Sequence, residues 1–254
     1  METVLKLENI SKAFLTDGGK ETLAVLENIN VSVPENEFVC IIGPSGCGKS
    51  TLLRIVSGLE EATGGQVLYR GKPHNKPKKD IGVVFQNYSL MPWLNVADNI
   101  ALGLRFNKVG AKDIDKTVDR YLKIIGMEKF RNAYPYELSG GMQQRVAIAR
   151  TLANDPDVVL MDEPFGALDA YTRIVLQREL LRIWEDNKKT ILFVTHSVDE
   201  AVFLADRIIL MSRDKGKIVR DCKIDLTRPR DRSDPEYGRL MNELLNDLER
   251  INNV

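Results

Sequence analysis

The spacing of apolar residues along this chain changes several times, and each change marks a different element. Leu5, Leu7 and Ile10, then Leu26, Ile29, Val31 and Val33, recur mostly at every second position. Such spacing buries one face of a strand, so an antiparallel β-layer is expected near the N-terminus. Residues 38–42, 81–85, 158–161, 190–194 and 207–211 are short, nearly unbroken apolar runs, as expected of strands buried on both faces. Between 88 and 157 the period lengthens. Asn95 is placed to cap a helix carrying Val96, Ile100 and Leu104 on one face. Ile114, Val118, Tyr121, Leu122 and Ile125 form a second stripe that Gly126 closes. No strand is expected in this span, which reads as a helical insertion in an α/β core. Asp214-Lys215-Gly216 predicts a hairpin turn. Pro235 opens a closing helix whose stripe runs from Tyr237 through Leu244 to Ile251.

Composition narrows the picture only a little. The 254 residues balance 36 Lys and Arg against 36 Asp and Glu, so no net field favours nucleic acid as a partner. The basic loop between Arg70 and Lys79 reads as a solvated hairpin tip, with His74 exposed on it. No apolar run is long enough to span a bilayer, so any membrane connection is expected to come through a partner. Cys40, Cys47 and Cys222 are odd in number and lack metal-ligand spacing, pointing to a reducing compartment.

Chemistry concentrates in three places. Gly43-Pro44-Ser45-Gly46-Cys47-Gly48-Lys49-Ser50-Thr51 follows a buried strand and opens a helix ending at Gly58. Two glycines with four residues between them, Gly43 and Gly48, followed by Lys and Ser form the phosphate-cradling loop, in which backbone amides and a helix N-terminus aim at one anion. Lys49 adds a charge for the β- and γ-phosphates, and the Ser50 hydroxyl suits Mg²⁺. Asp162-Glu163 stands at the carboxyl end of a buried strand, where α/β sheets bind ligands. Asp162 suits the metal and Glu163 the attacking water. Ser139-Gly140-Gly141 opens a third element, a second helix start able to receive an anion.

Leu138-Ser139-Gly140-Gly141-Met142-Gln143 closely resembles the signature sequence of ABC-type ATPases, and its distances from the other two elements match. The resemblance covers nearly the whole chain. It implies a P-loop NTPase (RecA-like) α/β core with an antiparallel β-layer over 1–87 and 158–226. A helical signature subdomain over 88–157 and a short C-terminal loop and helix over 227–254 complete that arrangement. ATP and Mg²⁺ are the implied cofactors. Gln86 takes the place of the glutamine that senses Mg²⁺ and the γ-phosphate, His196 that of the switch histidine, and Phe14 that of the aromatic stacked on adenine. Ala167-Leu168-Asp169 is similar to the D-loop, with Gly166 and Phe14 standing where many relatives carry Ser and Tyr.

The resemblance further implies a head-to-tail homodimer with two ATP molecules between the subunits. Each phosphate loop would face the partner copy's signature stretch, giving Ser139, Gly140, Gly141, Gln143 and Asp169 nucleotide contacts. Residues 92–100 and 229–237 are similar to the nitrate, sulfonate and taurine branch of bacterial importers. That branch implies integral membrane permease subunits, a solute-binding protein outside the membrane and a place on its cytoplasmic face. Tyr88-Ser89-Leu90-Met91-Pro92-Trp93-Leu94 is expected to form part of the permease-docking surface. The rival readings are an ABC protein acting on DNA or the ribosome, a nucleotide-switched scaffold, and a small-molecule kinase. The first usually adds coiled-coil arms or a tandem domain, and the last gives no reason for the signature stretch.

Overall fold

Strands β1 (Thr3–Thr16) and β2 (Glu21–Pro34) pair antiparallel over almost their whole length in this computed structural model, which describes residues 2–16, 21–166 and 168–252. Their apolar period breaks twice, from Leu7 to Ile10 and from Leu26 to Ile29, each time by three positions instead of two. Asn9 and Asn28 stand in those gaps, both at φ 53°. Asparagine tolerates this left-handed backbone, and a bulge at each site returns the next apolar side chain to the buried face. Leu7, Ile10, Leu26 and Ile29 are accordingly all buried. Next come β3 (Phe38–Ile42), α1 (Lys49–Ser57), β4 (Gly64–Tyr69) and the two-residue β5 (Lys72–Pro73). The antiparallel layer is ordered β2-β1-β4-β5.

His74 corrects the sequence reading. Far from being exposed, it is only 3% accessible. The β4–β5 hairpin turns its backbone onto Val67, and its Nε2 lies 3.0 Å from the Val56 carbonyl at the end of α1. The hairpin's cations gather at an aromatic ring, with Arg70 and Lys78 lying 5.8 and 5.5 Å from the Tyr69 ring centre.

The chain divides into two compact units, Met1–Lys78 with Lys188–Val254, and Lys79–Asn187. The second contains β6 (Ile81–Val84), α2 (Val96–Phe106), α3 (Ala111–Ile124), α4 (Gly140–Leu152), β7 (Val158–Asp162) and α5 (Ala170–Asn187). β6 and β7 run parallel, Ile81 beside Val158 and Val84 beside Met161. Asn95 caps α2 by accepting from the Asp98 amide at 2.8 Å, as its position predicted. The Thr151 hydroxyl donates to Val83 at 3.0 Å and fixes α4 on β6.

The first unit resumes with β8 (Thr190–Val194), α6 (Val198–Leu204), β9 (Arg207–Met211), β10 (Ile218–Lys223) and α7 (Pro235–Asn252). β8 and β9 flank β3 in parallel, and β10 returns antiparallel to β9 through Lys215 and Gly216, both at positive φ. Every residue of β3 and β8 is buried, and each large side chain among them contributes about 1.5–3 kcal/mol. Tyr237 and Leu244 dock α7, while Leu245 on the same stripe stays exposed. Among the described residues no helix is long and apolar enough to cross a membrane.

Burial, reinforced by the nearby Lys78 charge, lowers the His74 pKa below its ordinary value. The unfolded chain therefore takes up this proton first, and stability falls as pH drops below about 6.5. His74→Leu should flatten that acid slope and cost about 1 kcal/mol at neutral pH through the lost hydrogen bond. Thermal melts of both proteins from pH 8 to pH 5 check this; parallel pH curves would contradict it.

Candidate functional site

The 43–51 loop leaves the fully buried strand β3 and can close only because three of its positions have no side chain. A Cβ on Gly43 would lie 2.6 Å from the Met211 carbonyl oxygen. Gly48 has φ 99°, and a Cβ there would lie 2.7 Å from Leu26 Cδ2. Gly46, at φ 79°, takes a left-handed turn that L side chains rarely adopt. Pro44, Ser45 and Cys47 complete the turn, with the Cys47 amide donating to the Pro44 carbonyl at 3.3 Å. Lys49 is buried, and its Nζ donates to the Gly43 and Pro44 carbonyls at 2.8 and 2.9 Å. The loop thus closes around an ammonium ion. Helix α1 has no acid in its first turn, so the amides of Lys49, Ser50 and Thr51 present an unneutralised positive end. Burial pushes the Cys47 thiol above its ordinary pKa, and Lys49 beside it pulls the other way. A glycine-lined ring of amides around a buried cation fits a polyphosphate.

His196 leaves the neighbouring strand at the same edge. β8 pairs Val194 with Ile41 of β3, and the Thr195 amide donates to the Ile41 carbonyl at 3.2 Å. The buried Thr195 hydroxyl donates to Glu200 at 2.5 Å, and Ser197 caps α6 through the Glu200 amide. His196 between them is exposed. Phe14 lies on β1 beside Leu23, with 37% of its surface open and Lys12 Nζ 4.7 Å from its ring centre.

In the second unit Gln86 and Asp162 stand at like ends of the parallel pair β6 and β7. Gln86 Nε2 lies 3.4 Å from Glu163 Oε2, so the structure brings these two predicted site residues together. Glu163 itself has φ 44°, an uncommon backbone for a residue with a side chain, and its carbonyl accepts from Gly166 at 3.1 Å. Ser139 caps α4 by accepting from the Met142 amide, and Gly140 and Gly141 form the first turn. Cβ atoms on these glycines would meet Tyr88 and Thr172 at 3.1 Å each. Gln143 braces the approach to this helix, donating to the Pro135 and Leu138 carbonyls at 2.9 and 3.2 Å. Asp169 caps α5 through the Thr172 amide at 3.0 Å, and hydrogen bonds from the Thr172 hydroxyl first and that amide second hold its carboxyl below the ordinary range. Ala167 lies outside the described residues.

Sequence reasoning missed the residues that shape the stretch after Gln86. Asn99 is fully buried and bonds the Met91 amide and the Met91, Leu94 and Asn95 carbonyls. Arg150 donates to the Tyr88 and Ser89 carbonyls, where both residues have positive φ. Trp93 is left 70% exposed at the tip. A buried asparagine inside an apolar helical face is the one signal that could have pointed to this bracing. Among the described residues, no cluster of three or more His, Cys, Asp or Glu forms a ready-made metal cage. Ser50 in the first unit offers a hydroxyl oxygen, and Gln86 and Asp162 in the second offer amide and carboxylate oxygens, each a donor of the kind Mg²⁺ takes.

Residues 26–166 match the family described as ABC transporter. An uncharacterized ABC transporter ATP-binding protein of Methanocaldococcus jannaschii, MJ0412, is 53% identical over 98% of this chain and 92% of its own. The aliphatic sulfonates import ATP-binding protein SsuB of Bacillus thuringiensis is 45% identical over 96% of each chain. The nitrate import ATP-binding protein NrtD of Synechococcus elongatus is 44% identical over 97% of this chain and 92% of its own. Among solved structures, the cassette MJ0796, in a dimeric post-hydrolysis state bound to ADP and Pi, superposes with a TM-score of 0.78. It is 37% identical, over 88% of this chain and all of the other. With the phosphate loop, the strand-end acids and the Ser139-capped helix in one P-loop NTPase fold, this chain belongs to the ABC transporter family as an ATP-binding cassette ATPase.

Proposed function

We propose that this chain is the ATP-hydrolysing subunit of an importer for a small anionic solute such as a sulfonate, nitrate or bicarbonate. The phosphate loop closed around Lys49 carries the nucleotide part of the reading. The import names of relatives 44–45% identical over most of the chain support the solute class. In this reading the glycine loop and the first turn of α1 hold the phosphates through backbone amides, and Phe14 offers its open face to the adenine. Lys49 keeps its positive charge beside the oxygens on which negative charge develops. Ser50, Asp162 and Gln86 are the residues assigned to Mg²⁺, which supplies charge neutralisation when bound. Glu163, steadied by Gln86, orients the attacking water and takes up its proton, and His196 contacts the γ-phosphate.

The reading extends to assembly. Two copies would pair head to tail, so that Ser139, Gly140, Gly141, Gln143 and Asp169 of one copy approach the nucleotide of the other. The dimeric state of the cassette MJ0796 supports that arrangement. The γ-phosphate would then be what distinguishes closed from open, because only with it are both halves held. The exposed Trp93 on its braced segment would dock permease subunits at the cytoplasmic face of the membrane. An extracytoplasmic solute-binding protein would deliver the solute, and nucleic acid would play no part.

Lys49→Ala should weaken ATP binding by at least about tenfold, since a charge-assisted contact of roughly 1.5–3 kcal/mol is lost. Isothermal calorimetry measures it, and unchanged affinity would remove the phosphate-loop assignment. Glu163→Gln should hydrolyse ATP about 100-fold more slowly while still binding it. Light scattering should then find an ATP-dependent dimer, and a protein that stays monomeric with ATP speaks against the paired arrangement. Trp93→Glu should abolish co-purification with the permease subunits and leave the melting temperature unchanged. Normal recovery of the complex would place the docking surface elsewhere.

A further inference from the structure

Helix α6 spans only seven residues and begins two positions after His196. A helix of this length is marginal alone and leaves carbonyls without partners at its C-terminal end. The segment leading into α7 meets both needs. Arg230, buried, donates to the Val202 carbonyl at 2.6 Å, and Arg228 donates to the Leu204 carbonyl and pairs with Asp206. Burial, with Arg228 adjacent, lowers the Arg230 guanidinium to about 10, which still leaves it charged at neutral pH. At the other end, Arg232 grips Asp199 with two parallel bonds of 2.8 Å each while lying 4.0 Å over the Phe203 ring. The Tyr237 hydroxyl donates to the same carboxylate at 2.7 Å and also reaches the Asp199 carbonyl at 3.0 Å. Asp199 is three residues beyond His196, within the first turn of α6.

We infer that residues 228–237 form a brace that positions His196 by holding α6 at both ends, with Arg232 and Tyr237 as positioning residues for hydrolysis. The inference rests on the reading that His196 contacts the γ-phosphate. The physical step is short. His196 lies between Thr195, fixed on β3 through the Ile41 carbonyl, and Ser197, which caps α6, so its backbone follows both anchors. Loosening the Asp199 anchor frees α6 to rotate about the Thr195 hinge, which leaves the phosphate loop intact and moves only the histidine. A fault in placement lowers turnover, whereas nucleotide affinity stays with the loop.

The test is steady-state ATP hydrolysis by the full-length protein carrying Arg232→Lys or Tyr237→Phe, each alone and combined with His196→Ala. Lysine keeps the charge but not the two-pronged grip, and phenylalanine removes one hydroxyl, so both variants spare the core. Arg232→Lys should lower kcat about tenfold with KM for ATP within about twofold, and should add no further loss once His196 is alanine. Tyr237→Phe should show the same non-additivity with a smaller loss. Wild-type kcat in both variants, or losses that multiply with that of His196→Ala, overturns the brace. If His196→Ala alone retains wild-type kcat, the γ-phosphate reading itself fails and the brace has nothing to position.

Discussion

A buried ammonium group organises the glycine loop between β3 and α1. Removing Lys49 from water is costly, and the loop offsets that cost by turning the Gly43 and Pro44 carbonyls inward on it. With those carbonyls turned in, the chain reverses into α1, whose first turn carries no acid. That reversal requires glycine wherever the path passes too near a neighbour, as at Gly43 against Met211 and at Gly48 against Leu26. Met211 is held because its strand β9 pairs with β3, and behind Leu26 the Val25 carbonyl oxygen lies 3.1 Å from where a Cβ on Gly48 would stand. Rigid strands, missing side chains and one trapped charge are therefore parts of a single constraint.

The same electrostatic logic separates the helices. α1 and α4, whose N-termini are assigned to phosphate, carry no acidic residue in the first turn. α2, α3, α6 and α7 each place Asp or Glu there, and α5 is capped by Asp169. An acid in the first turn neutralises the positive end of a helix and competes with an anion for its amides. Leaving that end bare forfeits a few tenths of a kcal/mol of helix stability and keeps the donors available. Ser139 caps α4 with a neutral hydroxyl, which satisfies one amide without adding charge.

Most of the fold was legible because its signals are local. The β3, β8 and β9 runs, the Asn95 cap and the Gly58 and Gly126 stops each reflect residues within a few positions of one another. The candidate site motifs stand out for the same reason: a glycine loop must be contiguous to present successive amides. His74 was misread because its burial comes from a chain reversal that returns it to the end of α1, a contact that residues 70–79 do not encode by themselves. Arg150 escaped notice likewise, since it serves carbonyls 61 and 62 positions away, whereas Asn99 bonds residues only four to eight positions back and was passed over as one polar residue in an apolar face.

The amino-acid order alone determined the buried strand runs, the Asn95 cap, the glycine loop before α1 and which acids stand at a strand end. Those properties depend on backbone geometry over fewer than about ten residues and on side-chain period. Only the folded chain decided that Lys49 is enclosed, that Glu163 adopts φ 44° beside Gln86, and that arginines from the closing segment hold the helix after His196. The last two are long-range pairings of polar groups, whereas Lys49 is enclosed by carbonyls five and six positions back once packing has fixed the loop. Their partners are chosen by which carbonyls and carboxylates the packed elements leave unsatisfied, and no local pattern carries that information.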